Sequence, residues 1–278
     1  MKLSIIVPAY NEQRQVRASL RALDRVLAKL DRSYQIILVD DASTDRTLTL
    51  ARQEAKRNPH VTVVSNPQNS GKGFALRQGF AEASGDIVGF IDADMDLHPR
   101  QLNVLITQLE RDNADIAVGS KLHPESRVSY PPLRRGLSRC YRLLTRALFR
   151  LKVRDTQVGL KVFNRAVLDE VMPRLRVKRF AFDLELLAVA RYYGYTRIVE
   201  VPIALDYQFS STIRPSDVRG MLLDTLAIFY RLRIRRYYQR RRPEPAVKVV
   251  SDGARLAELQ TGPVGKWKVR WSRRRRRR

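Results

Sequence analysis

The sequence predicts an α/β fold: a Rossmann-like, mostly parallel sheet flanked by helices. Three observations predict it. Short runs rich in Ile and Val alternate with stretches of helical periodicity. Each of the first four runs ends in a polar turn cluster. Hydrophobic residues make up 44% of the 278, enough for one substantial core. Such alternation gathers ligands at the carboxyl ends of the strands.

The elements follow in order. A strand at residues 3–7 leads into Pro8-Ala9-Tyr10-Asn11-Glu12 and a helix over 12–30. A strand at 35–39 leads into Asp40-Asp41-Ala42-Ser43 and a helix over 45–57, with Ser43 or Thr44 as a suitable N-cap. A strand at 61–64 precedes Asn69-Ser70-Gly71-Lys72-Gly73 and a helix over 72–83, stopped by Gly85. A fourth strand at 87–91 delivers Asp92-Ala93-Asp94-Met95-Asp96. Beyond residue 100 the alternation weakens. Strands are expected at 115–118 and 196–201, and helices at 134–151, 182–193 and 216–242. In the 134–151 helix Arg135, Arg139, Arg142, Arg146 and Arg150 share one arc, and Leu137, Tyr141, Leu144, Leu148 and Leu151 another. The expected division is a catalytic domain at 1–215, an amphipathic membrane-interface helix at 216–242 and a disordered basic tail at 243–278.

The formal net charge is +25, concentrated at the end: residues 231–278 hold 18 Lys and Arg against three acids. Such a segment favours a polyanion, either nucleic acid, an anionic membrane or a phosphate-rich ligand. One cysteine makes no intramolecular disulfide, and the three histidines lack zinc-like spacing. The opening apolar run is too short for a signal peptide, and no stretch reaches the ~18 apolar residues of a spanning helix. The expectation is a chain at the cytoplasmic face of a membrane, held peripherally.

Asp92 and Asp94, at i and i+2 behind a buried strand, suit a hard cation such as Mg²⁺ or Mn²⁺, with Asp96 as a further ligand. Such a metal neutralises charge on a departing diphosphate. Gly71 and Gly73 around Lys72 at a helix start can meet phosphate through backbone N–H groups.

Taken in order, Val7-Pro8-Ala9-Tyr10-Asn11-Glu12, Val39-Asp40-Asp41-Ala42-Ser43, Asn69…Gly71-Lys72-Gly73 and Asp92-Ala93-Asp94 resemble family 2 glycosyltransferases of the GT-A fold. The resemblance implies a nucleotide-sugar donor site, with Asp41 at the base, Pro8, Tyr10 and Glu12 lining the pocket, and Asp92 and Asp94 meeting the diphosphate through the metal. The strings Asp155-Thr156-Gln157-Val158-Gly159-Leu160-Lys161 and Phe180-Ala181-Phe182-Asp183-Leu184-Glu185 narrow it to the polyprenyl-phosphate hexosyltransferases, the dolichyl-phosphate glucose and mannose synthases. This adds Gln157 and Lys161 to the donor site, and Asp183 to the catalytic set with Asp92 and Asp94; Arg214, in the Ser210-Ser211-Thr212-Ile213-Arg214-Pro215 segment, is a candidate contact to the donor diphosphate. Asp96 and the Gln-Val-Gly-Leu-Lys string lean toward the glucose branch. The implied reaction moves a hexose from UDP-glucose or GDP-mannose to a polyprenyl phosphate, with inversion to a β-linked product. Arg127, Arg135 and Arg139, with Lys121 near them in sequence, are candidates to hold the acceptor phosphate, because guanidinium matches phosphate oxygens bidentately. Three rival readings are a family 2 transferase with a sugar-hydroxyl acceptor and Asp183 as base, a basic nucleic-acid-binding protein, and a sugar nucleotidyltransferase, whose usual Gly-rich opening is absent after Val7. The second has no reader motif and leaves Asp92-Ala93-Asp94 unexplained.

Overall fold

The computed structural model describes residues 1–127, 132–178, 181–205 and 215–240. Its centre is a seven-stranded sheet in the order β3-β2-β1-β4-β6-β5-β7. These strands are β1 (Leu3–Ala9), β2 (Tyr34–Asp40), β3 (Val61–Ser65), β4 (Ile87–Phe90), β5 (Ile116–Ser120), β6 (Lys161–Asn164) and β7 (Ile198–Pro202). Near-continuous Ile, Val and Leu in β1 and β2 are buried on both faces, as a covered parallel sheet requires. β1 pairs in parallel with β2 and β4, and β2 with β3. All four strand-end motifs therefore open on one sheet edge.

The helices are α1 (Val16–Leu27), α2 (Thr47–Ala55), α3 (Lys72–Glu82), α4 (Arg100–Arg111), α5 (Pro132–Phe149), α6 (Arg165–Val171), α7 (Phe182–Tyr192), α8 (Pro215–Phe229) and α9 (Tyr237–Arg240). The sequence reading needs four corrections. First, α1 begins at Val16 rather than residue 12, because residues 10–15 form the loop beneath the site. Second, neither Ser43 nor Thr44 caps α2. Their polar atoms instead brace the neighbouring loop: Asn11 N–H donates to Ser43 Oγ (2.9 Å) and Thr44 N–H to Asn11 Oδ1 (2.9 Å). Third, α4, α6 and β6 were not anticipated. α4 buries Leu102, Leu105, Ile106 and Leu109 along one stripe. β6 runs antiparallel between β4 and β5, so the sheet is mixed. Fourth, the single helix expected over 216–242 is interrupted: α8 passes into a π-helical turn at Tyr230–Ile234, and Arg236 has φ 47° before α9. The 243–278 tail and Arg214 lie outside the described residues.

Candidate active site

The loops after β1 and β2 are cross-braced. Glu12 N–H donates to Thr47 Oγ1 (2.7 Å) and Gln13 N–H to Asp45 Oδ2 (3.1 Å). Asn11, Ala42 and Met95, each in a strand-end loop, hold φ near +60°, a conformation that non-glycine residues adopt only when their surroundings impose it. The 66–71 turn hangs on one buried carboxylate. Asp41 accepts from Asn66 Nδ2 (2.7 Å), from Ser70 N–H (3.1 Å) and from Gly71 N–H (2.7 Å). Gly71, at φ 92°, then enters α3 and presents Lys72. Gly73 N–H donates to the Lys178 carbonyl (2.9 Å), and a Cβ on Gly73 would lie 2.5 Å from the Phe182 ring. Two glycines thus serve backbone geometry and close packing around the lysine.

These loops surround a cleft of about 340 Å³ lined by Pro8, Tyr10, Glu12, Asp41, Lys72, Asp92, Asp94, Gln157 and Asp183 among others. Nine of the residues expected at the site are therefore brought together. Lys72 Nζ lies 2.5 Å from Asp92 Oδ1. Burial disfavours its charge, but Asp92 and Asp183 outweigh that and hold the ammonium above its usual value. Burial, then the charge of Asp92, raises the Asp94 carboxyl; burial, then Asp94 and its acidic neighbours, raises Glu12. A Cβ at Gly159 would come within 1.9 Å of Asp92 Oδ2, so this glycine makes room for the carboxylate.

Lys161 sits beneath the cleft instead of in its wall. It is 1% exposed, and its Nζ donates to Asp183 Oδ1 (2.7 Å) and to the Val158 carbonyl. Burial lowers the Lys161 pKa, against the opposing pull of Asp183. Glu185 is also turned away from the cleft. It is fully buried, accepting from the backbone N–H groups of Arg176 (2.8 Å) and Val177 (2.7 Å) and from the Tyr238 hydroxyl (2.5 Å).

The three aspartates expected to ligate metal do not form a preassembled cage. Among the described residues no group of three or more His, Cys, Asp or Glu is placed to hold an ion. Asp92 faces Lys72, and Asp94 Oδ1 accepts the Asp96 N–H (3.1 Å). The acid excess that raises Asp94 and Glu12 nevertheless fits a divalent cation. Mg²⁺ commonly takes one or two carboxylates and completes its shell with substrate phosphate and water.

A second cavity, about 560 Å³, lies between α5 and α8. Its wall is chiefly apolar, including Leu137, Tyr141, Leu144, Val218, Met221 and Leu222. Tyr141 Oη and Thr225 Oγ1, 3.0 Å apart, tie the two helices, as does an edge-on contact of Phe149 with Phe229. The cations in this wall are Lys121, Arg142 and Arg154. The structure leaves Arg127 and Arg139 exposed and outside it, and the Arg135 side chain is outside the described set. Sequence reasoning missed Arg154, and it missed the groove itself. The Leu and Tyr stripe of α5 was its one visible signal.

A parallel-sheet edge carrying an acidic, lysine-bearing cleft, with an apolar groove beside it, defines a group-transferring α/β enzyme that handles phosphorylated ligands. Comparison with known proteins gives the particular family. The chain belongs to glycosyl transferase family 2, whose sequence profile matches residues 4–172. It is 30% identical over 244 residues to a dolichyl-phosphate beta-glucosyltransferase of Trichomonas vaginalis, covering 82% of this chain and 71% of the relative. It is 30% identical over 202 residues to a dolichol-phosphate mannosyltransferase of Pyrococcus furiosus, covering 73% and 56%. The fold matches glucosyl-3-phosphoglycerate synthase of Mycobacterium tuberculosis, crystallised with Mn²⁺, UDP-glucose and phosphoglyceric acid. The TM-score is 0.61 at 23% identity, over 82% of this chain and 78% of that one. The family and the GT-A-like fold expected from the strand-end motifs are thereby borne out.

Proposed function

We propose that this enzyme moves a hexose, glucose in preference to mannose, from a nucleotide diphosphate sugar to a polyprenyl or dolichyl phosphate. The observation that carries the proposal is the adjacency of two unlike cavities, a polar cleft at the strand ends and an apolar groove between α5 and α8. A lipid phosphate needs both. The name of the Trichomonas vaginalis relative supports the glucosyl branch.

The donor diphosphate would lie over Gly71, Lys72, Asp92 and Asp94, with Pro8, Tyr10, Glu12 and Asp41 around the nucleoside. Mg²⁺ or Mn²⁺ on Asp92 and Asp94 would supply charge neutralisation for the departing diphosphate. A phosphomonoester with a second pKa near 6 is already anionic at neutral pH. It needs positioning more than proton removal, and in-line attack yields the β-linked product. Lys121, Arg142 and Arg154, in the groove wall, would hold its phosphate. A sugar-hydroxyl acceptor is less well served: the groove is apolar, and Asp183 is already engaged by Lys161.

No helix among the described residues is long and apolar enough to cross a membrane. Leu143, Leu222, Leu223, Leu226, Tyr230 and Ile234 are nonetheless exposed on α5, α8 and the π turn. With the arginines nearby they suit the headgroup boundary of an anionic bilayer. We assign residues 216–242 to that interface, 1–215 to catalysis, and the 243–278 tail to electrostatic attachment. The test is transfer of label from UDP-glucose or GDP-mannose to polyprenyl phosphate, with Mg²⁺ or Mn²⁺ present. Label must enter the solvent-extractable lipid. Label entering only water-soluble sugar products rejects the proposal.

A further inference from the structure

Between the donor cleft and the apolar groove stands one shared residue. Gln157 is common to both linings, and among the described residues no other is. Its side-chain Nε2 is shielded from solvent and has no hydrogen-bond partner among the described residues. A buried N–H without an acceptor forfeits its bond to water and gains none in return, so proteins keep few of them. Those at a cavity wall are explained when a ligand supplies the acceptor.

The backbone beneath Gln157 is fixed. Its own N–H donates to Asp155 Oδ1 (3.1 Å), while Asp155 Oδ2 accepts the Lys121 N–H (3.1 Å). The Arg154 N–H donates to Glu200 Oε1 (2.7 Å), anchoring the same loop to β7. A donor presented from a braced loop is preorganised and loses little conformational freedom on binding.

Charge on the two sides differs. The cleft side carries Glu12, Asp41, Asp92, Asp94 and Asp183 against Lys72; the groove side carries Lys121, Arg142 and Arg154 against Asp155. An anionic acceptor entering from the groove meets a wall with cations in excess first and a cleft with carboxylates in excess last. Its phosphate is stopped at the boundary, where Gln157 stands. We infer that the Gln157 amide donates a hydrogen bond to the attacking phosphate oxygen of the acceptor and so marks the point of transfer. This rests on the lipid-phosphate reading above.

A neutral donor suits that task. An ammonium or guanidinium on the attacking oxygen would stabilise its charge before reaction, whereas an amide orients the lone pair with less loss of nucleophilicity. In the step itself the phosphate oxygen forms a bond to the anomeric carbon. The bond from that carbon to the diphosphate oxygen breaks, and its electron pair leaves with the nucleoside diphosphate. No proton is gained or lost.

The test uses the full chain carrying Gln157→Ala, Gln157→Asn or Gln157→Glu. Affinity for UDP-glucose with Mn²⁺ is measured by calorimetry, and transfer to polyprenyl phosphate in detergent by steady-state kinetics. Gln157→Ala should lower kcat for transfer on the order of 10²-fold, the usual loss for one oriented donor, with donor Kd within twofold. Gln157→Asn keeps the amide but retracts it, and should fall between. Gln157→Glu sets a carboxylate against the phosphate and should fall lowest, with a raised KM for lipid. Melting curves identify any variant that has lost its fold, and the retracted amide then decides. Transfer rates within threefold of wild type, or donor affinity falling in parallel with rate, would overturn the inference. Wild-type protein that glycosylates a sugar hydroxyl but never the lipid phosphate overturns instead the reading beneath it.

Discussion

Lys72 Nζ and Asp92 Oδ1 stand 2.5 Å apart, joining the first residue of α3 to the loop after β4. The pair places a cation against the motif carboxylate, yet among the described residues Glu12, Asp94 and Asp96 form no ion pair of their own. Burial first, then the charge of Asp92 on Asp94 and of Asp94 on Glu12, raises both carboxyls above their ordinary values. The cleft thus holds an electrostatic cost that a divalent cation bound there would relieve.

The sign of that cost gives the first prediction. A carboxyl whose folded pKa is raised binds its proton more tightly in the folded state than in the unfolded chain. Between the unfolded and the raised folded value, stability therefore falls as pH rises. At neutral pH the ionised Asp94 weakens the metal-free fold. Asp94→Asn should raise the melting temperature in EDTA at neutral pH, and that gain should shrink toward pH 4. The same variant should lose activity on the order of 10²-fold or more, since an amide is a poorer ligand for Mg²⁺. Near-normal turnover of this variant, or of EDTA-treated wild type, would remove the metal from the proposal.

Gly159 gives a sharper test of the same carboxylate. A Cβ there would collide with Asp92 Oδ2 at 1.9 Å, closer than any side chain tolerates. Gly159→Ala should turn Asp92 aside while leaving the fold intact. Disturbing a ligand's support typically costs 10–100-fold in metal affinity. The half-saturating Mn²⁺ concentration should rise by about that factor. An unchanged metal titration would show that Asp92 has no role in holding the ion.

Much of this site was legible in the sequence because it is local. Each donor-side motif follows directly on an apolar run, so parallel pairing alone gathers Glu12, Asp41, Lys72 and Asp94. The acceptor side is not local. Tyr141 and Thr225 meet across 84 positions, and nothing in either helix announces the other. β6 escaped notice for a different reason. Only four residues long, it begins at Lys161, the last residue of the Asp155–Lys161 string, where the residues read as a motif before they read as a strand. The break at Arg236 carries no Gly or Pro to mark it. Lys161 was placed at the donor because its string suggested it, whereas burial shows it supporting Asp183 from below.

That support predicts an asymmetry. Lys161 and Asp183 are 1% and 5% exposed, so removing one partner strands the other's charge. Breaking a buried pair costs about 3–5 kcal/mol, whereas replacing both partners with apolar groups is often near neutral. Lys161→Met should lower the denaturation midpoint strongly. Adding Asp183→Leu to it should restore most of the loss, without restoring activity. Chemical denaturation of Lys161→Met, Asp183→Leu and the double variant reads the coupling. Simple additivity would mean the two groups do not sense each other.

The last prediction concerns the surface where the acceptor resides. Leu223, Leu226, Tyr230 and Ile234 follow one another at helical spacing, with Leu223 57% and Ile234 64% exposed. Arg233, Arg235 and Arg236 are exposed beside them. Two forces would then hold the protein to an anionic bilayer, and they respond differently to salt. Charge attraction, about 1 kcal/mol per arginine near the surface, is screened beyond ~10 Å at 0.1 M salt. Burial of leucine or isoleucine, about 1.5–3 kcal/mol when complete, is not. Leu223→Asp with Ile234→Asp should therefore weaken binding to vesicles containing anionic lipid on the order of 10²-fold, at low and high salt alike. Removing residues 243–278 should weaken it mainly at low salt. Transfer to a short, water-soluble polyprenyl phosphate should survive the double substitution, because neither Leu223 nor Ile234 lines the cleft or the groove. Sedimentation with vesicles separates the contributions. If the double variant binds vesicles as wild type does at 0.5 M salt, the exposed stripe of α8 is not the membrane contact, and the arginines alone would have to carry it.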